Sequence, residues 1–326
     1  MRAVVLHEFG PPAHLRVADV PTPRPAAGEV AVRVAAAGVQ FLETQVRAGT
    51  MRGALGGAPL PVILGKEIAG VVAEVGPEGD PALLGARVLG STTGLGGYAE
   101  TAIAPAGSLI PVGDAVGLPE AVALYRYGAT AQGLVRAARV AAGDRVLVLA
   151  AAGAVGTVLV QLLKRSGATV VAAARGEHKL ALLGRLGADH VVDYSLSGWT
   201  GRARDAAGGS VDVVLDHVGG ALGRESFELL TPGSGRQIVF GLSSGTPLQV
   251  QPMELIGRGL TLTGFSTGHL WSRPALARDL VTEVLELAAA GRLTPVIGQR
   301  FPLERAADAH AAIEARDTVG KTLLIP

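Results

Sequence analysis

The chain has 326 residues, with 29 Lys and Arg against 28 Asp and Glu for a net charge of +1, and it contains no cysteine. That length suits about two domains with substantial cores, and the near balance of charge points away from nucleic acid and anionic membranes and towards small-molecule partners. Without cysteine there can be no disulfide, no catalytic thiol and no zinc site that uses a cysteine ligand.

In chain order, Met1 to Gly10 meets charged residues too soon for a secretory h-region, so the cytoplasm is the default compartment. Ala3 to Leu6 reads as a strand, and Pro21 to Pro25 as an extended linker fixed by proline geometry. Glu29 to Ala35 alternates, with Val30, Val32 and Val34 on one face of a half-buried strand. Further strands are predicted at Ile68 to Val75, Arg87 to Leu89 and Tyr98 to Ile103, giving a β-rich first module. Leu118 to Ala138 changes period to a long helix opened by Leu-Pro-Glu.

A βα alternation follows. Strands are predicted at Arg145 to Ala150, Thr169 to Ala174, His190 to Tyr194, Val211 to Asp216, Gln237 to Gly241 and Leu260 to Gly264, which implies a doubly wound parallel sheet. Val146 to Leu163 is apolar enough to suggest a membrane span, but Gly153, Gly156, Thr157 and Gln161 interrupt it, and burial in an α/β core explains it better. Ala275 to Ala290 is an amphipathic helix closed by Gly291. The tail carries short strands and a helix over Arg305 to Ala315 that returns to the first module. The change of period divides the chain at 1–118, 119–264 and 265–326.

The segment from Asp144 to Ser166 organises the whole. A short apolar strand runs into a turn where Ala151, Gly153 and Gly156 occupy the three positions of G-x-G-x-x-G, with Ala154 and Val155 between the last two as further cofactor-binding candidates, and a helical pattern follows. Gly153 allows close approach of a pyrophosphate, Gly156 allows helix and strand to pack closely, and free N–H groups at the helix start face the phosphates. The alternative for any such turn is a glycine-rich connection with no ligand.

With these residues placed, the chain resembles the medium-chain dehydrogenase/reductase superfamily, in its zinc-free quinone oxidoreductase branch that includes zeta-crystallin. The matching stretches are Met1 to Gly10, Ala36 to Val39, Gly65 to Val72, Gly96 to Glu100, Ala150 to Gly156, Leu186 to Asp189, Val192 to Tyr194, Asp212 to Gly220 and Gly320-Lys-Thr-Leu-Leu. The resemblance implies an α/β architecture, a GroES-like β-rich domain with a Rossmann doubly wound parallel sheet, and NADP(H) in the intervening cleft. It also implies a homodimer or homotetramer. Zinc alcohol dehydrogenases of the superfamily place a histidine where this chain has Lys66, and they use a cysteine. The seven histidines, His7, His14, His178, His190, His217, His269 and His310, show no paired ligand spacing, and each reads as a surface or loop residue rather than a metal ligand.

Cofactor choice turns on the second strand, which ends Ala173-Ala174-Arg175-Gly176 without the acid that would accept a ribose 2′-hydroxyl. Arg175 suits a 2′-phosphate, and by the resemblance Lys179 and Tyr194 match phosphate-binding positions, so NADPH is expected over NADH. Glu177 stands close enough to act as the missing acid. By the same resemblance Val218 and Gly219 after the fourth strand, and Gly241, Leu242 and Ser243 after the fifth, hold the nicotinamide ribose and its surroundings. Thr130 is a cofactor-side contact.

The substrate half departs from the family pattern. Gln40 and Gln45 replace an asparagine and a tyrosine, and Tyr125-Arg126-Tyr127 replaces a proline with small residues. Reduction of an enone or quinone needs a donor for the developing enolate oxygen and a proton. Gln40 can donate an N–H, Lys66 can supply positive charge, and Tyr127 or Tyr125 can donate the proton. The competing account packs both tyrosines within the helix and pairs Lys66 with Glu67 or a neighbour. The expected activity is a zinc-independent, NADPH-dependent reduction of quinones or α,β-unsaturated carbonyls. The alternatives are a dedicated biosynthetic enoyl or ketone reductase acting on a bulky intermediate, and a non-catalytic NADPH-binding protein on the same scaffold. No nucleic-acid or membrane partner is expected.

Overall fold

The computed structural model describes residues 1–51, 53 and 59–326, which form two compact units. The first comprises Met1–Arg126 and Val281–Pro326, and the second Tyr127–Leu280.

The first unit opens with β1 (Arg2–Leu6), β2 (Leu15–Asp19) and β3 (Glu29–Val39), then α1 (Phe41–Ala48). It continues through β4 (Val62–Ile63), β5 (Glu67–Val75), β6 (Arg87–Ser91), β7 (Thr101–Pro105) and β8 (Ile110–Pro111). Helix α2 (Leu118–Ala137) carries the chain into the second unit. There β9 (Arg145–Val148), α3 (Ala154–Arg165), β10 (Thr169–Ala174), α4 (Glu177–Arg185) and β11 (His190–Asp193) alternate. The alternation goes on with α5 (Trp199–Ala206), β12 (Val213–Asp216), α6 (Gly220–Phe227), β13 (Arg236–Val239), α7 (Pro252–Arg258), β14 (Thr261–Gly264) and α8 (Thr267–Trp271). Helix α9 (Pro274–Ala289) leads back to β15 (Ile297–Pro302), α10 (Ala306–Glu314) and β16 (Lys321–Ile325) of the first unit.

In the second unit six strands form one all-parallel sheet in the order β11-β10-β9-β12-β13-β14. That is the order of a doubly wound dinucleotide fold, and it reverses between β9 and β12. Strands β9, β10 and β12 are apolar on both faces because helices cover both faces: Leu147, Leu149, Val171, Val214 and Phe227 lie in one core. Packing at the first βα turn is close enough to demand glycine, since a Cβ at Gly156 would stand 2.6 Å from Ala151 Cα. Immediately before it, Ala150 holds φ at +50°, a conformation disfavoured by about 1–2 kcal/mol for a residue with a Cβ.

The first unit has a three-stranded sheet, β2-β1-β4, and a larger one in the order β15-β16-β3-β5-β6-β8, with β7 also paired to β3. Long strand β3 serves both ends of that sheet: Glu29 to Arg33 pair with β7, and Ala37 to Val39 pair with β16. The tail therefore completes a sheet begun by the head of the chain. Val30, Val32, Ile68, Tyr98 and Leu324 share its core.

Three sequence expectations need correction. The strand predicted over Tyr98 to Ile103 starts at Thr101, because Tyr98 bonds Leu64 O and Val4 N through its backbone, and so crosses between strand systems rather than extending β7. Helix α1 was not anticipated, although Gln40 with Glu43 three residues on, and Gly49 in a left-handed conformation after the last turn, are its start and stop signals. His310 is not a surface residue: it is fully buried on the inner face of α10 beside Ala306 and Ala309, where its ring meets Tyr98.

Candidate active site

The second unit gathers its expected cofactor residues at the carboxyl ends of its strands, where ligands bind in such sheets. Gly153 caps α3 with extended backbone, and the N–H groups of Ala154, Val155 and Gly156 lie in the first turn, outside the intrahelical ladder. Ala151 is buried and donates its N–H to Ala173 O at 3.0 Å, which ties the turn to β10.

Register sets two of the three phosphate-suited residues at adjoining strand ends. Ala174 pairs with Asp193, so Arg175 and Tyr194 are the next residues on adjoining strands, and Lys179 sits one turn into α4. Arg175 is exposed, while Lys179 and Tyr194 are half-buried. Asp193 at the same edge escaped the sequence reading. It accepts the N–H of Gly176 at 2.9 Å and both the N–H and the hydroxyl of Ser195. The Ser195 hydroxyl first, then those N–H groups, outweigh burial and hold this carboxyl below the usual range. Asp193 is thus committed to shaping the loop, and Glu177 in the first turn of α4 is exposed.

The loops after β12 and β13 are bonded into one ridge. Ser243 N reaches His217 O at 3.1 Å and Ser244 N reaches Val218 O at 3.0 Å, so Val218, Gly219, Gly241, Leu242 and Ser243 belong to neighbouring segments. Asp216, buried at the end of β12, fixes the first loop by accepting the N–H groups of Val218 and Gly219 at 2.8 and 2.9 Å. Gln237 of β13 steadies Asp216 from the other side at 3.0 Å. Thr130 is buried within α2.

In the first unit, strand register collects the candidate substrate residues at one end of the larger sheet. Gly38 pairs with Glu67, and Glu67 with Ser91, so Gln40 just beyond β3, Lys66 just before β5 and Ser91 at the end of β6 are neighbours by position. Tyr125 joins them: it is buried, and its hydroxyl stands 3.2 Å from Ser91 Oγ. Lys66 is exposed and Gln40 half-buried. The carboxylate of Glu67 is engaged elsewhere, by Lys321 Nζ at 2.5 Å and Arg126 Nε at 3.7 Å. Tyr127 is half-buried and begins the second unit. Phe41 and Leu42, adjoining Gln40, are exposed.

Behind this end of the sheet lies a buried polar cluster that the sequence did not signal. Glu43 Oε2 accepts the Gln40 N–H at 2.8 Å and the Tyr98 hydroxyl at 2.7 Å, and burial pushes the Glu43 carboxyl up to about 7. Among the described residues, no group of three or more His, Cys, Asp or Glu side chains stands close enough together to hold a metal ion.

Comparison with known proteins agrees with this architecture. Residues 26–114 match the alcohol dehydrogenase GroES-like domain and residues 186–324 a zinc-binding dehydrogenase family. The chain is 33% identical to a 2-haloacrylate reductase from Burkholderia sp, over 99% of this chain and 98% of that one. It is 32% identical to a quinone oxidoreductase from Pseudomonas aeruginosa, over 98% and 97% of the two chains. Among solved structures it superposes on Escherichia coli quinone oxidoreductase complexed with NADPH with a TM-score of 0.89 at 28% identity, covering 100% of both chains. A mycobacterial quinone oxidoreductase gives a TM-score of 0.85 at 33% identity, again with 100% of both chains covered. The chain belongs to the medium-chain dehydrogenase/reductase superfamily, in its quinone oxidoreductase branch.

Proposed function

We propose that this protein uses NADPH to reduce quinones or α,β-unsaturated carbonyl compounds without a metal ion. The observation that carries the reading is the convergence of Gln40, Lys66 and Tyr125 at one end of the first unit's sheet, a set of donors suited to a carbonyl oxygen that gains charge.

The cofactor fits the second unit. The glycine-only contact at Gly156 and the first turn of α3 suit a pyrophosphate, and Arg175, Lys179 and Tyr194 suit a 2′-phosphate. The E. coli relative was solved with NADPH, which supports the same choice here. When bound, NADPH supplies a hydride equivalent from its nicotinamide. The remaining work falls to the protein. The Gln40 amide donates an N–H to the acceptor oxygen and Lys66 offsets the charge that develops there as hydride reaches the conjugated acceptor; Tyr125, Tyr127 or water then returns a proton, to the α-carbon of an enone or to the oxygen of a quinone. A zinc-free route follows from the donor set, because the chain has no cysteine and carries Lys66 where zinc enzymes of the superfamily place a histidine.

The departures at Gln40, Gln45 and Tyr125 to Tyr127 favour an acceptor other than a simple quinone, and the likeness to a 2-haloacrylate reductase adds substituted acrylates to the candidates. The test is NADPH oxidation by chelator-treated protein against quinones, small enones, bulky enones and 2-substituted acrylates, with NADH as comparison. Turnover restricted to NADH, or dependent on added zinc, contradicts the reading.

We further read the protein as a homo-oligomer in the cytoplasm. Strand β14 ends the second unit's sheet, and the helix before it exposes Met253 and Ile256. Light scattering checks the assembly, and a monomer at micromolar concentration refutes it.

A further inference from the structure

The buried cluster around Glu43 has no part in the chemistry above, yet it ends at the residue on which that chemistry depends. Glu43 lies in the first turn of α1, and its Oε2 takes the backbone N–H of Gln40. The same oxygen accepts the hydroxyl of Tyr98, a wholly buried residue that is itself 3.2 Å from His310 Nε2. A hydroxyl has one hydrogen, and Tyr98 gives it to Glu43, so His310 donates from Nε2 to the Tyr98 oxygen. The rings of Tyr98 and His310 meet edge to face with centroids 5.8 Å apart. Three side chains, from α1, from the segment before β7 and from α10, therefore form one chain of bonds that finishes on the backbone of Gln40. Two of its buried atoms, Glu43 Oε1 and His310 Nδ1, make no hydrogen bond among the described residues.

We propose that Glu43 is a positioning residue for Gln40: anchored by Tyr98 and His310, it holds the start of α1 in the reactive geometry.

The surroundings of Glu43 disfavour its ionisation. From β5 the Glu67 carboxylate faces Glu43, and from β16 Lys321 faces it too, but Lys321 is already bonded to Glu67. Arg47, one turn along α1, is bonded to Glu314 of α10 and to the carbonyl of Gly10. The short turn Pro12–His14, which also packs on α1, contributes only His14, placed beside Glu8. Among the described residues, Glu43 is in no salt bridge. Ionising it would set two buried carboxylates, Glu43 and Glu67, against Lys321 and the more distant Arg126, both already engaged by Glu67, and the repulsion would act on Glu67, the neighbour of Lys66, as well as on Gln40. His310 is pushed down to about 3 by burial and by Arg47, so it stays neutral and titrates far below neutrality.

The inference rests on the reading of Gln40 as the donor to substrate, and the experiment separates the two. With NADPH saturating, kcat/KM for the best acceptor is followed from about pH 6 to about pH 8.5 in wild type, Glu43→Gln, Tyr98→Phe and Gln40→Leu. Wild type is expected to lose activity above a midpoint near 7, by about tenfold per pH unit. Glu43→Gln, which cannot ionise, lacks this alkaline limb and keeps the NADPH KM. Tyr98→Phe removes a bond that favours the ionised acid, so its midpoint moves to higher pH, and this arm carries the test if Glu43→Gln does not fold. A merely structural Glu43 would lower the melting temperature on substitution and leave the limb in place, which overturns the proposal. Gln40→Leu is expected to lose turnover at every pH. If it keeps full turnover, the role of Gln40 and this inference fall together. If it loses turnover while Glu43→Gln retains the limb, the inference alone falls.

Discussion

Glu67 Oε2 and Lys321 Nζ stand 2.5 Å apart in the interior of the first unit, joining residues 254 positions apart in the chain. Gly38 of β3 pairs with Glu67 on one side and Leu323 on the other, and a Cβ there would stand 2.8 Å from Lys321 Cε. The pair is thus the bond by which β16, the last strand, locks onto the strands at the candidate site, and glycine is the residue that leaves it room.

Lys321→Met leaves the buried Glu67 carboxylate with only the longer contact to Arg126, at 3.7 Å. Removing one partner of a buried pair typically costs about 3–5 kcal/mol, and urea unfolding should register a loss of that order. The double variant Lys321→Met with Glu67→Gln should recover part of it. An unchanged midpoint in the single variant would mean that the pair adds nothing to stability.

The raised Glu43 carboxyl makes a stability prediction with a definite sign. Its value is about 7 when folded against 4.5 as the reference, so the folded state holds a proton that the unfolded state has released across that interval. Stability from this group is complete below the unfolded value and is lost as pH rises through the folded one, by about 3 kcal/mol at most. His310 acts oppositely on the acid side: buried neutral, it loses stability as pH falls from 6.5 towards 3. The melting temperature of Glu43→Gln relative to that of wild type isolates the first effect, and it should rise as pH is raised from about 5 to about 8. A difference independent of pH would contradict it.

Arg175 and Lys179 are predicted to discriminate between cofactors. Replacing both by alanine should raise the KM for NADPH, with each charge-assisted bond contributing about 1.5–3 kcal/mol, or roughly 10- to 150-fold. The KM for NADH should move little, because it lacks the phosphate. Equal effects on the two cofactors would reassign these residues to general folding.

Tyr125 and Tyr127 compete for the proton-donor role. Tyr125→Phe removes the hydroxyl beside Ser91 Oγ, and Tyr127→Phe removes that of the rival candidate. A proton donor's loss should lower kcat by about 10²- to 10⁴-fold with NADPH binding unchanged. If neither substitution changes kcat, water is the donor.

The two-part architecture was legible in the sequence because it depends on local patterns. Apolar strands alternating with helical periods, and a Gly153–Gly156 turn between strand and helix, foretell the parallel sheet and its first βα turn directly. The buried polar side chains were not legible. Glu43, Tyr98 and His310 come from three distant segments, and His310 in isolation reads as a surface residue because nothing local reveals the hydroxyl it faces. Lys321 was visible as part of a family motif, but its partner Glu67 is identified only by register. Asp216 and Asp193 escaped for a related reason: each serves backbone N–H groups of the loop that follows it, a role that composition does not mark.

The central claim, metal-independent transfer of hydride from NADPH to a conjugated acceptor, is tested most directly by isotope. Chelator-treated protein would be given NADPH deuterated at nicotinamide C4 on the transferred face, with an enone or 2-substituted acrylate, and the product analysed by NMR. The account predicts one deuterium at the β-carbon for each NADPH consumed. Unlabelled product, or turnover that returns only when zinc is added, would contradict it.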